Sequence, residues 1–146
     1  MQLLTKIWSF GSTNEEMVHL WKVYCLSILE QSCVVWGSSL TLENRNNLER
    51  LQKTFCKLVL EEDFSTYNEA LVSLGLQTLT ERRQQLTLDF AKRSISDDIL
   101  RDLFLIKRKR HEMATRNTAK YRVNHANTNR YKNSPIPTMQ NMLNKE

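Results

Sequence analysis

MVHLWKVYCLSILEQSCVVWGSSLTLENRNNLERLQKTFCKLVL, residues 17–60, is the stretch whose reading decides the fold. Its first half carries apolar residues at Met17, Leu20, Trp21, Tyr24, Cys25, Ile28, Leu29, Val35 and Trp36. That is the i, i+3, i+4, i+7 rhythm of one buried helical face. The second half repeats it at Leu48, Leu51, Phe55, Leu58 and Val59, with Glu49, Arg50, Lys53 and Lys57 turned outward. Gly37-Ser38-Ser39 interrupts the pattern between them, and Thr41 is placed to cap the second helix. A short connection between two amphipathic helices predicts an antiparallel hairpin.

Outward from the hairpin the reading stays helical. Thr13 with Glu16, Thr66 with Glu69 and Thr78 with Glu81 are three capping boxes, each opening a helix. The first is expected to run to about Trp36. The second covers Tyr67, Ala70, Leu71 and Leu74 and ends at Gly75, which suits a left-handed C′ position. The third buries Leu79, Leu86, Phe90 and Ala91. Residues 1–10, MQLLTKIWSF, read as the end of a longer helix or a packing arm, with nothing to cap its start. Glu61-Glu62-Asp63 opposes the macrodipole, so the helix before it should stop near Leu60. A last short helix is expected from Asp98 to about Ile106, burying Ile99, Leu100, Leu103 and Phe104. Beyond it the apolar residues stand singly, and Ser134-Pro135-Ile136-Pro137 favours an extended piece. The expected fold is all-α: a small helical bundle built on the hairpin, residues 1–106, followed by a basic, largely irregular extension, residues 107–146.

Charge supports that division. The chain of 146 residues is 40% hydrophobic, enough for one modest core. Residues 1–106 hold 11 Lys and Arg against 14 Asp and Glu, a net of −3. Residues 107–146 hold 10 against 2, a net of +8, recovering the chain's +5. A mildly acidic body with a cationic end suggests a polyanion-seeking extension, or simply a solvated tail. No apolar run is long enough to cross a membrane, and the N-terminus has no secretory pattern. Cys25, Cys33 and Cys56 are odd in number and lack a CxxC pair. Free thiols in a reducing compartment follow, placing the protein in nucleus or cytoplasm.

No catalytic constellation is legible. Asp97-Asp98 is the one adjacent aspartate pair, but it precedes a helix, where carboxylates cap amides. His19, His111 and His125 lack metal-ligand or triad spacing, and no glycine-rich phosphate loop exists. Neither metal nor cofactor is expected. The candidate sites are cationic. Arg82 and Arg83 sit in the first turn of a helix, where they oppose the macrodipole and call for a partner. Glu81, Glu69 and the Glu61-Glu62-Asp63 cluster are the plain partners; phosphate is the other. Lys107, Arg108, Lys109 and Arg110 form a run. Arg116, Lys120, Arg122, Arg130 and Lys132 follow, interleaved with Tyr121 and Tyr131, a pattern that suits phosphates and stacked bases.

The order of these features resembles the region after the polymerase palm in jockey-like non-LTR (LINE-type) retrotransposon reverse transcriptases. Leu20, Tyr24, Ile28, Leu29, Val35 and Trp36 match its Leu-x-x-x-Tyr, Ile-Leu and Val-Trp pattern. Leu48, Glu49, Gln52, Phe55 and Lys57 match its next helix. Tyr67, Leu71, Leu74, Leu76, Leu79, Arg82, Arg83, Leu86 and Phe90 match the following block. RYKNSPIPTMQNMLN is similar to its terminal block, which closes on Leu-Asn. Glu30-Gln31-Ser32-Cys33 departs from the family, which commonly has an aromatic and a Gly there. The resemblance covers nearly the whole chain from about Asn14. It implies a thumb-like helical bundle that grips RNA or an RNA–DNA duplex by its backbone and does no bond chemistry. The palm aspartates are absent from this chain, and a separate palm and fingers domain would be a further partner. A helical protein-interaction module is the alternative, using residues 1–10 and Trp21 or Trp36 as an apolar patch.

Overall fold

The computed structural model describes residues 1–104, 121, 123 and 125–145. The fold is all-α: every regular element among the described residues is helical. The chain forms two compact units. One comprises residues 1–31 and 41–82, the other residues 32–40 and 83–146. The expected boundary at residues 106/107 lies outside the described residues.

In the first unit, α1 (Gln2–Ser9) lacks a side-chain cap and ends before Gly11, whose φ of +85° only glycine adopts without strain. The Thr13–Glu16 capping box is complete. The Glu16 N–H donates to Thr13 Oγ1 at 3.3 Å, and the Thr13 N–H donates to Glu16 Oε2 at 2.8 Å. It opens α2 (Asn14–Leu20), which continues without a break into a π-helical turn, Trp21–Leu26, and then α3 (Ser27–Glu30).

The π turn overturns the predicted buried face. Its i→i+5 hydrogen bonds return the chain to the same side after five residues instead of three or four. The buried row is therefore Met17, Trp21, Leu26. Tyr24 and Ile28, expected inside, are 63% and 71% exposed, and Val35 is exposed as well. The helix also fails to reach Trp36. It stops at Glu30; Gln31 is extended, and Ser32 holds a left-handed φ of 53°.

The other long helix of this unit is α5, after α4 (Cys33–Trp36) of the second unit. α5 spans Leu42–Leu60, with Thr41 Oγ1 accepting from the Asn44 N–H at 3.2 Å. Trp21 stacks on Phe55 with ring centroids 4.5 Å apart and planes 14° from parallel. Around this pair gather Leu4, Met17, Leu26, Cys56, Val59, Ala70, Leu71, Leu74 and Leu79. Burial pushes the Cys56 thiol up to about 11, so it stays protonated at neutral pH. Leu51, expected in the core, is exposed; Gln52 is buried in its place and donates Nε2–H to the Gln77 carbonyl at 2.8 Å. The swap is a matter of angle. On α5 residue 52 falls between 48 and 55–56, while 51 lies a turn from Phe55 on the flank.

Glu49, expected to face solvent, turns inward. Its carboxylate accepts from the Tyr67 hydroxyl at 2.8 Å and from the Leu79 and Thr80 N–H groups at 3.3 and 2.8 Å. Tyr67 begins α6 (Tyr67–Ser73) and Leu79 begins α7 (Leu79–Ser96). One α5 side chain thus joins α6 and caps α7, satisfying orphan amides that would otherwise need water. Burial first, and the adjacent Glu49 carboxylate second, drive the Tyr67 phenol far above its ordinary pKa. α6 closes in a Schellman motif: Leu76 N–H to Leu71 O at 2.8 Å and Gly75 N–H to Val72 O at 3.2 Å, with Gly75 at φ +59°.

The second unit holds α4, a 3-10 turn at Gly37–Ser39 and the rest of α7. Of the helix predicted over 98–106, the described residues, up to 104, hold a single 3-10 turn, Leu100–Leu103. Of its expected core residues only Phe104 is deeply buried, while Ile99 and Leu103 are exposed. Two short helices follow, α8 (Asn129–Lys132) and α9 (Pro135–Leu143). The expected extended Ser-Pro-Ile-Pro piece is instead the start of α9. Proline at N1 loses no hydrogen bond, because first-turn amides have no helical partner, and its fixed φ suits the helix. α9 lies against α4 and the Gly37–Ser39 turn. Met139, Ala91, Phe104 and Tyr121 form this unit's core, flanked by Val34, Phe90, Ile95, Ile136 and Leu143. Asn144 completes it. Its Oδ1 accepts from the Tyr121 N–H at 2.8 Å and its Nδ2 donates to the Tyr121 carbonyl at 3.0 Å, as a neighbouring strand would.

Candidate nucleic-acid interface

Arg82 and Arg83 are neighbours in sequence with different fates. Arg82 Nε and Nη2 grip the Glu30 carboxylate, the Nη2–Oε2 distance being 3.3 Å. The planar fork meets both oxygens, the geometry guanidinium favours. The partner of Arg82 is thus not one of those expected. Glu81 accepts from the Thr78 N–H, Glu69 from the Ser65 hydroxyl, and Glu61 from Trp8 Nε1–H at 2.6 Å. The sequence signal for Glu30 was absent, since 52 residues separate it from Arg82. Arg83 is only 6% exposed and its Cδ lies against Gly37. Its carbonyl accepts from Thr87 Oγ1–H at 2.8 Å. A guanidinium so enclosed cannot reach an external phosphate, so Arg83 is structural in this arrangement.

Of the extension, Arg130 and Lys132 are described; Lys107, Arg108, Lys109, Arg110, Arg116, Lys120 and Arg122 lie outside the described residues. Arg130, Tyr131 and Lys132 occupy α8 and all three are exposed. The Thr128 hydroxyl accepts from the Tyr131 N–H at 3.3 Å, and Ser134 Oγ–H donates to the Tyr131 carbonyl at 2.7 Å, so both ends of this turn are tied. Two cations flanking an accessible phenol ring can neutralise phosphate and offer a face for a base. Tyr121, the other interleaved aromatic, is buried in the second core and is not available for stacking.

Asp97 takes the capping role. Its Oδ1 accepts from the Ile99 and Leu100 N–H groups at 2.9 and 3.0 Å. Those amides, Leu100 first, hold its carboxyl below the ordinary aspartate range. Asp98 lies 3.6 Å from Arg101 Nη1 at the surface. Among the described residues, no three His, Cys, Asp or Glu side chains come together as a metal site. Nor is any helix among them long and apolar enough to cross a membrane. Cys33 and Cys56 are buried and Cys25 is half-buried, none of them in a disulfide. No family model, curated protein or solved structure matches the chain.

Proposed function

We propose that the chain is the thumb-like, post-palm portion of a LINE-type reverse transcriptase, a non-catalytic helical grip on RNA or an RNA–DNA duplex. The observation that carries this reading is the exposed Arg130-Tyr131-Lys132 turn, in the segment that resembles the family's terminal block and next to a helix anchored in the second core. Arg82 and Arg83 do not belong to the grip, because Glu30 and burial respectively occupy them. The seven undescribed cations of the extension add to it by charge. Contacts of this kind position a duplex without reading its sequence. One detail accords with the resemblance: Asn144, of the closing Leu-Asn, holds the Tyr121 backbone. The Glu30-Gln31-Ser32-Cys33 stretch, which departs from the family, is where the helix breaks and Ser32 takes a positive φ.

Titrating the full chain with a short RNA–DNA duplex at increasing salt tests the proposal. Binding should be steep in salt and indifferent to sequence. Replacing Arg130 and Lys132 with Gln should lower the slope of log K against log salt by about 2, roughly 0.9 for each lost phosphate contact. A binding curve flat in salt would end the proposal.

A protein-interaction module is the second reading. It is favoured by Leu3 and Phe10 at either end of α1, the latter 88% exposed. Trp21 is withdrawn from that patch by burial, and Trp36 is half-buried.

A further inference from the structure

We propose a phosphate-contacting surface on α5: the stripe Asn46, Arg50, Lys53 and Lys57, which engages the same nucleic acid and so rests on the reading above. These residues follow one another at i, i+4, i+7 and i+11, a single helical row, and all four are exposed. Arg50 and Lys57 are about 10 Å apart along the axis, at 1.5 Å per residue. That is the rise of about three nucleotides of one strand, at 3.4 Å each. Three cations therefore face a span carrying about three phosphates.

The sign of the charge is the second argument. The unit that contains α5, residues 1–31 and 41–82, has 7 Lys and Arg against 10 Asp and Glu, a net of −3. In so acidic a body, a purely solvated row would be expected to interleave carboxylates at i±3 and i±4. At those spacings from the three cations stand only Glu49, four residues before Lys53, and Glu61, four after Lys57. The two nearest along the helix are committed elsewhere: Glu49 to Tyr67 and the start of α7, Glu61 to Trp8. Among the described residues no carboxylate lies within ion-pair distance of Arg50, Lys53 or Lys57. The Lys57 ammonium rests over the Phe64 ring at 5.4 Å, which steadies it without cancelling its charge. Arg50–Lys53 and Lys53–Lys57 are then like-charge neighbours at i, i+3 and i, i+4, a spacing that destabilises a bare helix. A polyanion along the row relieves that repulsion. The exposed Asn46 amide in the row can supply a neutral donor to phosphate or sugar oxygens.

The experiment uses the full chain and the same RNA–DNA duplex. Arg50, Lys53 and Lys57 are changed together to Gln, which matches Lys and Arg in helix propensity. Helicity and melting temperature are checked alongside, and the single variant Lys53→Gln serves if the triple variant melts early. The triple variant should reduce the salt slope by about 2 to 3, and Lys53→Gln by about 0.9. The charge-retaining pair Lys53→Arg and Lys57→Arg should leave it unchanged. A wild-type slope in the triple variant, with a reduced one in the Arg130/Lys132 variant, overturns the stripe and leaves the grip standing. Failure of the unaltered chain to bind at low salt removes the grip, and the stripe with it.

Discussion

The two units build their cores in opposite ways. The first draws on long helices whose apolar residues recur within a few positions, and its centre is the large stacked pair Trp21 and Phe55. The second collects isolated residues from distant parts of the chain: Ala91, Phe104, Tyr121 and Met139. It joins them with a side-chain amide, Asn144, acting as a piece of backbone. The lesson concerns closure. Both cores close long loops, Trp21 meeting Phe55 in one and Tyr121 meeting Asn144 in the other. In the first, each segment brings a periodic apolar face to offset the entropy cost, whereas the second has only singly placed residues to set against it.

The largest blow to the first core should be Trp21→Ala. Removing a fully buried indole, and with it the stacking on Phe55, should cost about 3–5 kcal/mol in urea unfolding. A loss under about 1 kcal/mol would mean that the aromatic pair is not the centre of that unit. In the second core the corresponding test is Asn144→Ala. It leaves both Tyr121 backbone groups without their partner and should cost about 1–3 kcal/mol. Hydrogen exchange at the Tyr121 amide should accelerate while amides around Phe55 stay protected. Equal acceleration in both units would erase the distinction between them.

Ser32→Gly should act in the other direction. It relieves a left-handed conformation that a Cβ disfavours and should stabilise by about 1 kcal/mol, read as a rise in melting temperature. No rise would place the chain reversal elsewhere. The smallest expected effect is the sharpest test of the π turn. Ile28→Ser should change stability by less than about 0.5 kcal/mol, as surface substitutions do. A regular α-helix would bury Ile28, and the same change would then cost about 2–3 kcal/mol.

Much of the fold could be read before any coordinates. The Thr13, Thr41, Thr66 and Thr78 caps, the end of α5 at Leu60 and the Gly75 closure all depend on residues within five positions of each other. Misreadings arose where distance or phase mattered. A π turn changes the phase by one residue, so Tyr24 and Ile28 moved out and Leu26 moved in. Glu49 looked like a surface residue until α6 and α7 brought their amides and hydroxyl to it. Of the candidate cations, charge alone could not separate Arg82, held by Glu30, from the exposed Arg130 and Lys132.

Sequence by itself determined the helical class, the caps that start each long helix, and the cationic bias of the C-terminal region. These follow from short-range hydrogen bonding and from composition, which need no partner element. Tertiary structure alone decided which face of the first helix is inside, which acid neutralises Arg82, and that Arg83 is enclosed. It also decided that the Ser-Pro-Ile-Pro segment becomes a core-packed helix. Each depends on groups far apart in the chain meeting in space, and local propensities contribute too little energy to choose among such meetings.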